Sequence, residues 1–207
     1  MVNGDASNSG ANNYRRGVLI NPATITSGSG NISITGKAVN TSLSYDVWSN
    51  NTTNSSAITS TSGNVTITGN GNGATLFQKI GIGTGGTTTI TANNLSWDST
   101  ASSLTGTGPV VIEPIGTDWI AESNTSNATA AVDMSSVAVT SGKSSFRLGK
   151  YNSSSSHSTK GILAPSLSVA GPISIYGSDI QLAATTSVTS ATDNLLVKAT
   201  GSIYNVA

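Results

Sequence analysis

The stretch "ITSTSGNVTITG", Ile58 to Gly69, repeats "ITSGSGNISITG", Ile25 to Gly36, thirty-three residues earlier in the chain. Three positions differ: Gly28 becomes Thr61, Ile32 becomes Val65 and Ser33 becomes Thr66. Apart from the turn glycine, each change keeps its residue class, as a structural repeat does when geometry matters more than side-chain detail. Within the phrase, Ile32 and Ile34 flank Ser33, and Val65 and Ile67 flank Thr66. Alternation at period two sends the apolar pair to one face of a strand and the hydroxyl to the other. The flanking Gly, Asn and Pro read as turns, Gly and Asn because they accept positive φ.

The phrase generalises to G-[NP]-[IV]-x-[IV]-x-[GP]. It recurs as "GPVVIEP" (108–114) and "GPISIYG" (171–177), with a looser "GKSSFRLG" (142–149) and a start, "GSIY", at 201–204. Two longer stretches, "GVLINPATITSGSGNISITG" (17–36) and "GILAPSLSVAGPISIYG" (161–177), share an opening G-[VI]-L, a Pro, an apolar pair and the closing unit. One repeat therefore holds three short strands, such as Val18–Ile20, Thr24–Thr26 and Ile32–Thr35. Tyr45–Trp48, Ala57–Thr59 and Val65–Thr68 follow, then Lys79–Ile82, Thr88–Thr91 and Val110–Ile112.

Three strands and three small-residue corners describe a coil of a right-handed parallel β-helix. One coil cannot bury its apolar face, whereas stacked coils bury a continuous column. About six coils, each about 4.8 Å high, would make a rod on the order of 30 Å long. The wider spacing after Gly69 and Pro114 reads as projecting loops, "NGNGATLFQ" (70–78) and "ESNTSNATAA" (122–131). An antiparallel β-sandwich is the alternative, but it calls for regular two-residue hairpin turns that the chain lacks. The organisation expected is a polar N-terminal segment, residues 1–16, and a repeat region, 17–207, read as a piece of a longer chain.

Composition agrees with the all-β reading. Ser, Thr, Asn and Gly dominate the 207 residues, while charged residues make up only 9%, so a helical fold would contradict local propensity nearly everywhere. Zero formal net charge without a basic cluster argues against nucleic acid as a partner. No apolar run approaches the length of a membrane span. The opening "MVNGDASNSGANNYRRG" is too polar for a secretory signal. The lack of cysteine excludes disulfides, thiolate metal sites and cysteine nucleophiles.

With these repeats in view, "SGNVTITG" (62–69), "ITANNLSWDSTASSLTGTGPVVIEPI" (90–115) and "GILAPSLSVAGPISIYGSDIQLAA" (161–184) resemble the filamentous-haemagglutinin-like exoproteins. These are giant repetitive β-helical adhesins of Gram-negative bacteria. The resemblance implies a right-handed β-helix, export through a dedicated outer-membrane secretion partner, and a role in adhesion at the bacterial cell surface, with surface glycans as ligands. The motifs of the family's N-terminal secretion domain are not found here.

Chemistry-bearing motifs are sparse. "GIGTGG" (81–86) matches a nucleotide-loop pattern, but the β-branched "TTTIT" after it suits a strand better than the helix such a loop needs. His157 is the single histidine and lies in a serine-rich stretch without a nucleophile elbow, so neither catalysis nor a metal site is expected there. Glu113, Asp118 and Glu122 form the closest grouping of acids and are the catalytic candidates if the protein cleaves polysaccharide. Among Trp48, Trp97, Trp119 and Tyr45, the aromatic expected to be exposed for a ligand is Trp119. Thr-x-Thr at 24–26, 66–68 and 89–91 raises the idea of an ordered-surface binder, were the rows to align. No cofactor and no metal is expected. The reading is a non-enzymatic adhesive or structural segment, extracellular, with end-to-end self-association through open strand edges; the alternative is a carbohydrate-active β-helix.

Overall fold

The computed structural model describes residues 1–6, 15–39, 44–50, 55–97, 102–119, 131–151, 154–155, 161–182 and 185–205. Among them every element is a strand and every strand pairing is parallel. Antiparallel hairpins, which a β-sandwich needs, do not occur there. The chain passes from one sheet to a second, to a third, and back to the first, which is the pattern of a parallel β-helix or solenoid.

The largest sheet has eight strands in chain order: Val2–Asp5, Ile32–Lys37, Val65–Gly69, Thr88–Ala92, Val110–Glu113, Phe146–Leu148, Ile173–Gly177 and Leu195–Ala199. A second sheet stacks Arg15–Ile20, Ser44–Ser49, Ala74–Phe77 and Leu95–Trp97. A third stacks Thr24–Ser27, Ser56–Ser60, Ile80–Thr84, Ser103–Thr105 and Ala138–Val139. Toward the C-terminal end, Val132–Asp133, Ile162–Leu163, Ile180–Leu182 and Ile203–Asn205 form a further sheet. Two strand pairs complete the set, Asp118–Trp119 with Ser154–Ser155 and Leu167–Val169 with Thr186–Val188. The main sheet also reaches into the N-terminal polar segment, where Val2–Asp5 pairs with Ile34–Lys37.

The register explains the repeat. In the main sheet Ile34, Ile67, Ile90, Ile112, Leu148 and Ile175 stand over one another, each with no exposed surface. Ile58, Ile82 and Leu104 make an equally buried column in the third sheet. The columns face one another and form the core, each isoleucine contributing roughly 1.5–3 kcal/mol by leaving water.

The segment 70–78 corrects the expectation of a projecting loop. Ala74–Phe77 is a buried strand between Ser44–Ser49 and Leu95–Trp97, and Phe77 is wholly inside. An extra copy of the unit, "GTTTITA" (86–92), restores the spacing. It escapes the motif because Thr87 and Thr88 stand where Asn or Pro and Ile or Val are elsewhere, and Thr88 is buried between Val65 and Val110.

The opening glycine of the unit is set by stacking and not by positive φ. A Cβ on Gly63 would stand 2.2 Å from the Gly30 carbonyl oxygen, and one on Gly108 would stand 1.7 Å from that of Gly86. Neither glycine has a left-handed backbone. The next position carries a side-chain ladder: Asn31 Oδ1 accepts the Asn64 N–H at 2.8 Å, and Asn64 Oδ1 accepts the Thr87 N–H at 2.9 Å. Pro109 and Pro172 fit the same slot because they have no N–H to satisfy. Gly108→Ala is therefore expected to cost about 1–3 kcal/mol by forcing stacked backbones apart. Gly28→Ala has open space around its new Cβ and is expected to stabilise by about 0.4–1 kcal/mol. Urea unfolding of the two variants checks both signs.

Candidate functional site

The outward side of the main sheet is the most regular surface. Ser33, Thr66 and Thr89 are in register, as are Thr35, Thr68 and Thr91. Beyond Thr89 and Thr91 the rows turn to Val111 and Glu113, then to Arg147, Ser174 and Tyr176, and finally to Leu196 and Lys198. Of the three Thr-x-Thr copies, 66–68 and 89–91 align, next to Ser33 and Thr35, while "TIT" at 24–26 lies on the third sheet, facing Ala57 and Thr59.

The acids divide. Glu113 accepts a hydrogen bond from Arg147 Nη2 at 2.7 Å across the outer face, and both side chains are partly exposed. Asp118 is exposed on its short strand. Glu122, Asp98 and His157 lie outside the described residues. Among the described residues, no group of three or more His, Cys, Asp or Glu is placed to hold a metal ion.

Trp119 corrects the expectation of an exposed ligand platform, for it is wholly buried in the core. Its strand position follows exposed Asp118, so alternation turns the indole inward. Trp97 packs on Phe77 at 4.7 Å between ring centroids. Trp48 is half-buried and already engaged: it stacks on Tyr45 at 4.5 Å, lies 4.4 Å from the Arg16 guanidinium carbon, and donates its indole N–H to Gln78 Oε1. The most exposed aromatic among the described residues is instead Tyr151, 64% accessible, whose ring lies beneath Lys198 Nζ at 3.9 Å and meets Tyr176 edge-on. The hydrogen bond and charge of Lys198 hold the Tyr151 phenol below its usual pKa.

The "GIGTGG" stretch is strand and corner. With Thr59–Thr61 and Thr105–Thr107, Gly83–Gly85 lines a shallow groove of about 320 Å³. Its hydroxyls serve the fold: Thr84 Oγ1 donates to the Gly63 carbonyl, and Ser60 Oγ accepts the Gly63 N–H.

Two buried charges went unread in the sequence. Asp46, 1% exposed, accepts N–H groups from Ala38 at 2.7 Å, from Gly71 at 2.9 Å and from Gly73. Burial pushes its carboxyl up to about 6, against the pull of those donors. It sits where the register of Ser44–Ser49 against Ala74–Phe77 slips, so the simple alternation of "SYDVW" hides it. Lys143 is equally buried and donates from Nζ to the carbonyls of Thr105 and Gly106, both at 2.9 Å. Burial lowers its ammonium to about 8.

No family model, curated protein or solved structure matches this chain. What it does must be argued from its own surface.

Proposed function

We propose that this chain is a non-enzymatic segment of an exported bacterial surface protein of the filamentous-haemagglutinin-like kind, a right-handed β-helical rod that presents its long face for attachment. The observation that carries the reading is the outward side of the eight-stranded sheet. There the inward column stays aliphatic while the outer rows change from hydroxyls to Glu113, Arg147, Tyr176 and Lys198. A scaffold held by inward residues leaves such a face free to vary with its ligand. Surface glycans suit it, because hydroxyls and exposed Tyr151 offer hydrogen bonds and an aromatic ring to sugars. Export would use an outer-membrane partner, and the site of action would be the cell surface.

The test is incubation of the purified chain with a panel of surface polysaccharides, following retention and release of shortened products. Retention without products is expected. Released products that vanish in Glu113→Gln or Asp118→Asn would replace this reading with a polysaccharide-cleaving β-helix.

A further inference from the structure

The groove at "GIGTGG" lies in the middle of the stack, and the register of the third sheet explains its shape. Thr59, Gly83 and Thr105 stand over one another in adjacent strands, and at the corner that follows the Gly85 N–H donates to the Thr61 carbonyl. Glycines thus occupy one level where threonines occupy the levels on either side. The result is a slot with a glycine floor, walled by Thr59 and Thr61 on one side and by Thr105 and Thr107 on the other. The walls are two strand spacings apart, about 10 Å between backbones. A volume of about 320 Å³ is at the small end of ligand sites and suits a single sugar ring. The slot borders the main-sheet face, because its corners lead into Val65–Gly69, Thr88–Ala92 and Val110–Glu113.

Most of its polar groups are unused by the fold. Ser60 and Thr84 are engaged with Gly63, but among the described residues the hydroxyls of Thr59, Thr61, Thr105 and Thr107 have no hydrogen-bond partner. The backbone N–H groups of Gly106 and Thr107 donate to no described residue either, whereas those of Thr61, Ser62 and Gly85 at the two preceding corners are all taken. Gly106 has a φ of 78°, in the kind of turn where successive amides gather into an anion-accepting concavity.

Behind this corner is a buried charge. Lys143, 1% exposed, donates two of its three ammonium N–H groups to the carbonyls of Thr105 and Gly106 and meets no carboxylate among the described residues. The Thr105 carbonyl oxygen is 2.9 Å from Nζ and 2.0 Å from where a Gly83 Cβ would stand, so the ammonium is within about 5 Å of the slot's floor. A buried ammonium without a counter-charge is unfavourable, and an anion in the slot would offset that penalty. We propose that the slot binds the carboxylate of a uronic acid, held as one unit of an acidic surface polysaccharide. One ammonium calls for one negative charge, the amides and hydroxyls supply donors for its oxygens, and the glycine floor admits the ring. This inference rests on the glycan-binding reading above and names its substrate class.

Isothermal titration of the 207-residue chain with tetragalacturonate and with neutral galactotetraose of the same linkage isolates the C6 carboxylate. Tetragalacturonate is expected to bind at least about tenfold more tightly, and to weaken as salt is raised. Lys143 also ties the corner together, so the deciding variants sit on the exposed rim. Thr107→Glu puts a like charge at the slot and should weaken tetragalacturonate by about tenfold or more, while neutral Thr107→Gln should stay within about threefold of the native chain. Both should keep the native circular dichroism spectrum. Equal affinity for the two tetrasaccharides, or equal affinity of the two variants for tetragalacturonate, would overturn the slot and leave attachment through the rest of the face standing. Failure to bind tetragalacturonate while other polysaccharides are retained would do the same, and retention of none would remove both readings.

Discussion

Ile67→Ala is expected to lower the unfolding free energy by about 3–4 kcal/mol, more than any change on the outward face. Ile67 is wholly buried between Ile34 and Ile90 in the main-sheet column. Its neighbours on both sides are held in place by backbone ladders, so they cannot collapse into the space left behind, and the cavity cost adds to the lost transfer energy. Thr66→Ala, one residue away and facing outward, is expected to change stability by no more than about 0.5 kcal/mol. Urea midpoints with an unchanged slope would measure both. Equal effects at the two positions would mean that Ile67 does not face the core.

Asp46→Ala is the second large effect, expected to cost about 3 kcal/mol, because it orphans the N–H groups of Ala38, Gly71 and Gly73 that the buried carboxylate accepts. Those donors lie on two corners of the stack, so the carboxylate ties one level of the chain to the next. Its pH dependence has a definite sign. The folded carboxyl titrates near 6, above its ordinary value of 3.8, so between these values the native state binds more protons than the unfolded chain. Stability from this group is therefore greatest near pH 4 and declines as pH rises through 6. Compared with Asp46→Asn at both pH values, the native protein should hold a larger advantage at pH 4 than at pH 7.5. A larger advantage at pH 7.5 would mean that the three donors outweigh burial.

The alternation in "GNISITG" and "GNVTITG" made the inward and outward faces readable, because a parallel stack repeats the same environment at each level. Strand positions such as Thr24–Ser27 and Val65–Gly69 follow from that alone. Two things did not follow. Thr87 and Thr88 replace the motif's residues in a copy whose neighbours enforce its geometry, so the spacing seemed to widen and the strand Ala74–Phe77 was taken for a loop. Trp119 and Asp46 were unreadable for another reason: whether a large or charged side chain points inward depends on register slips and corners that sequence spacing does not encode. The glycine of the unit was recognised, but its cause lies in the backbone of the level below, which only the stacked structure reveals.

The claim that these levels stack in parallel and in register is tested most directly by distances along one outward row. Spin labels on cysteines placed at Ser33 and, in separate variants, at Val111, Ser174 or Leu196 span three, five and six strand spacings. At about 4.8 Å per strand, the backbone separations are about 14, 24 and 29 Å, and the measured distances should lengthen in that order by about 10 and then about 5 Å. Separations that fail to lengthen along the row, or that shorten between Val111 and Leu196, would contradict the stacked architecture and every functional reading built on its outer face.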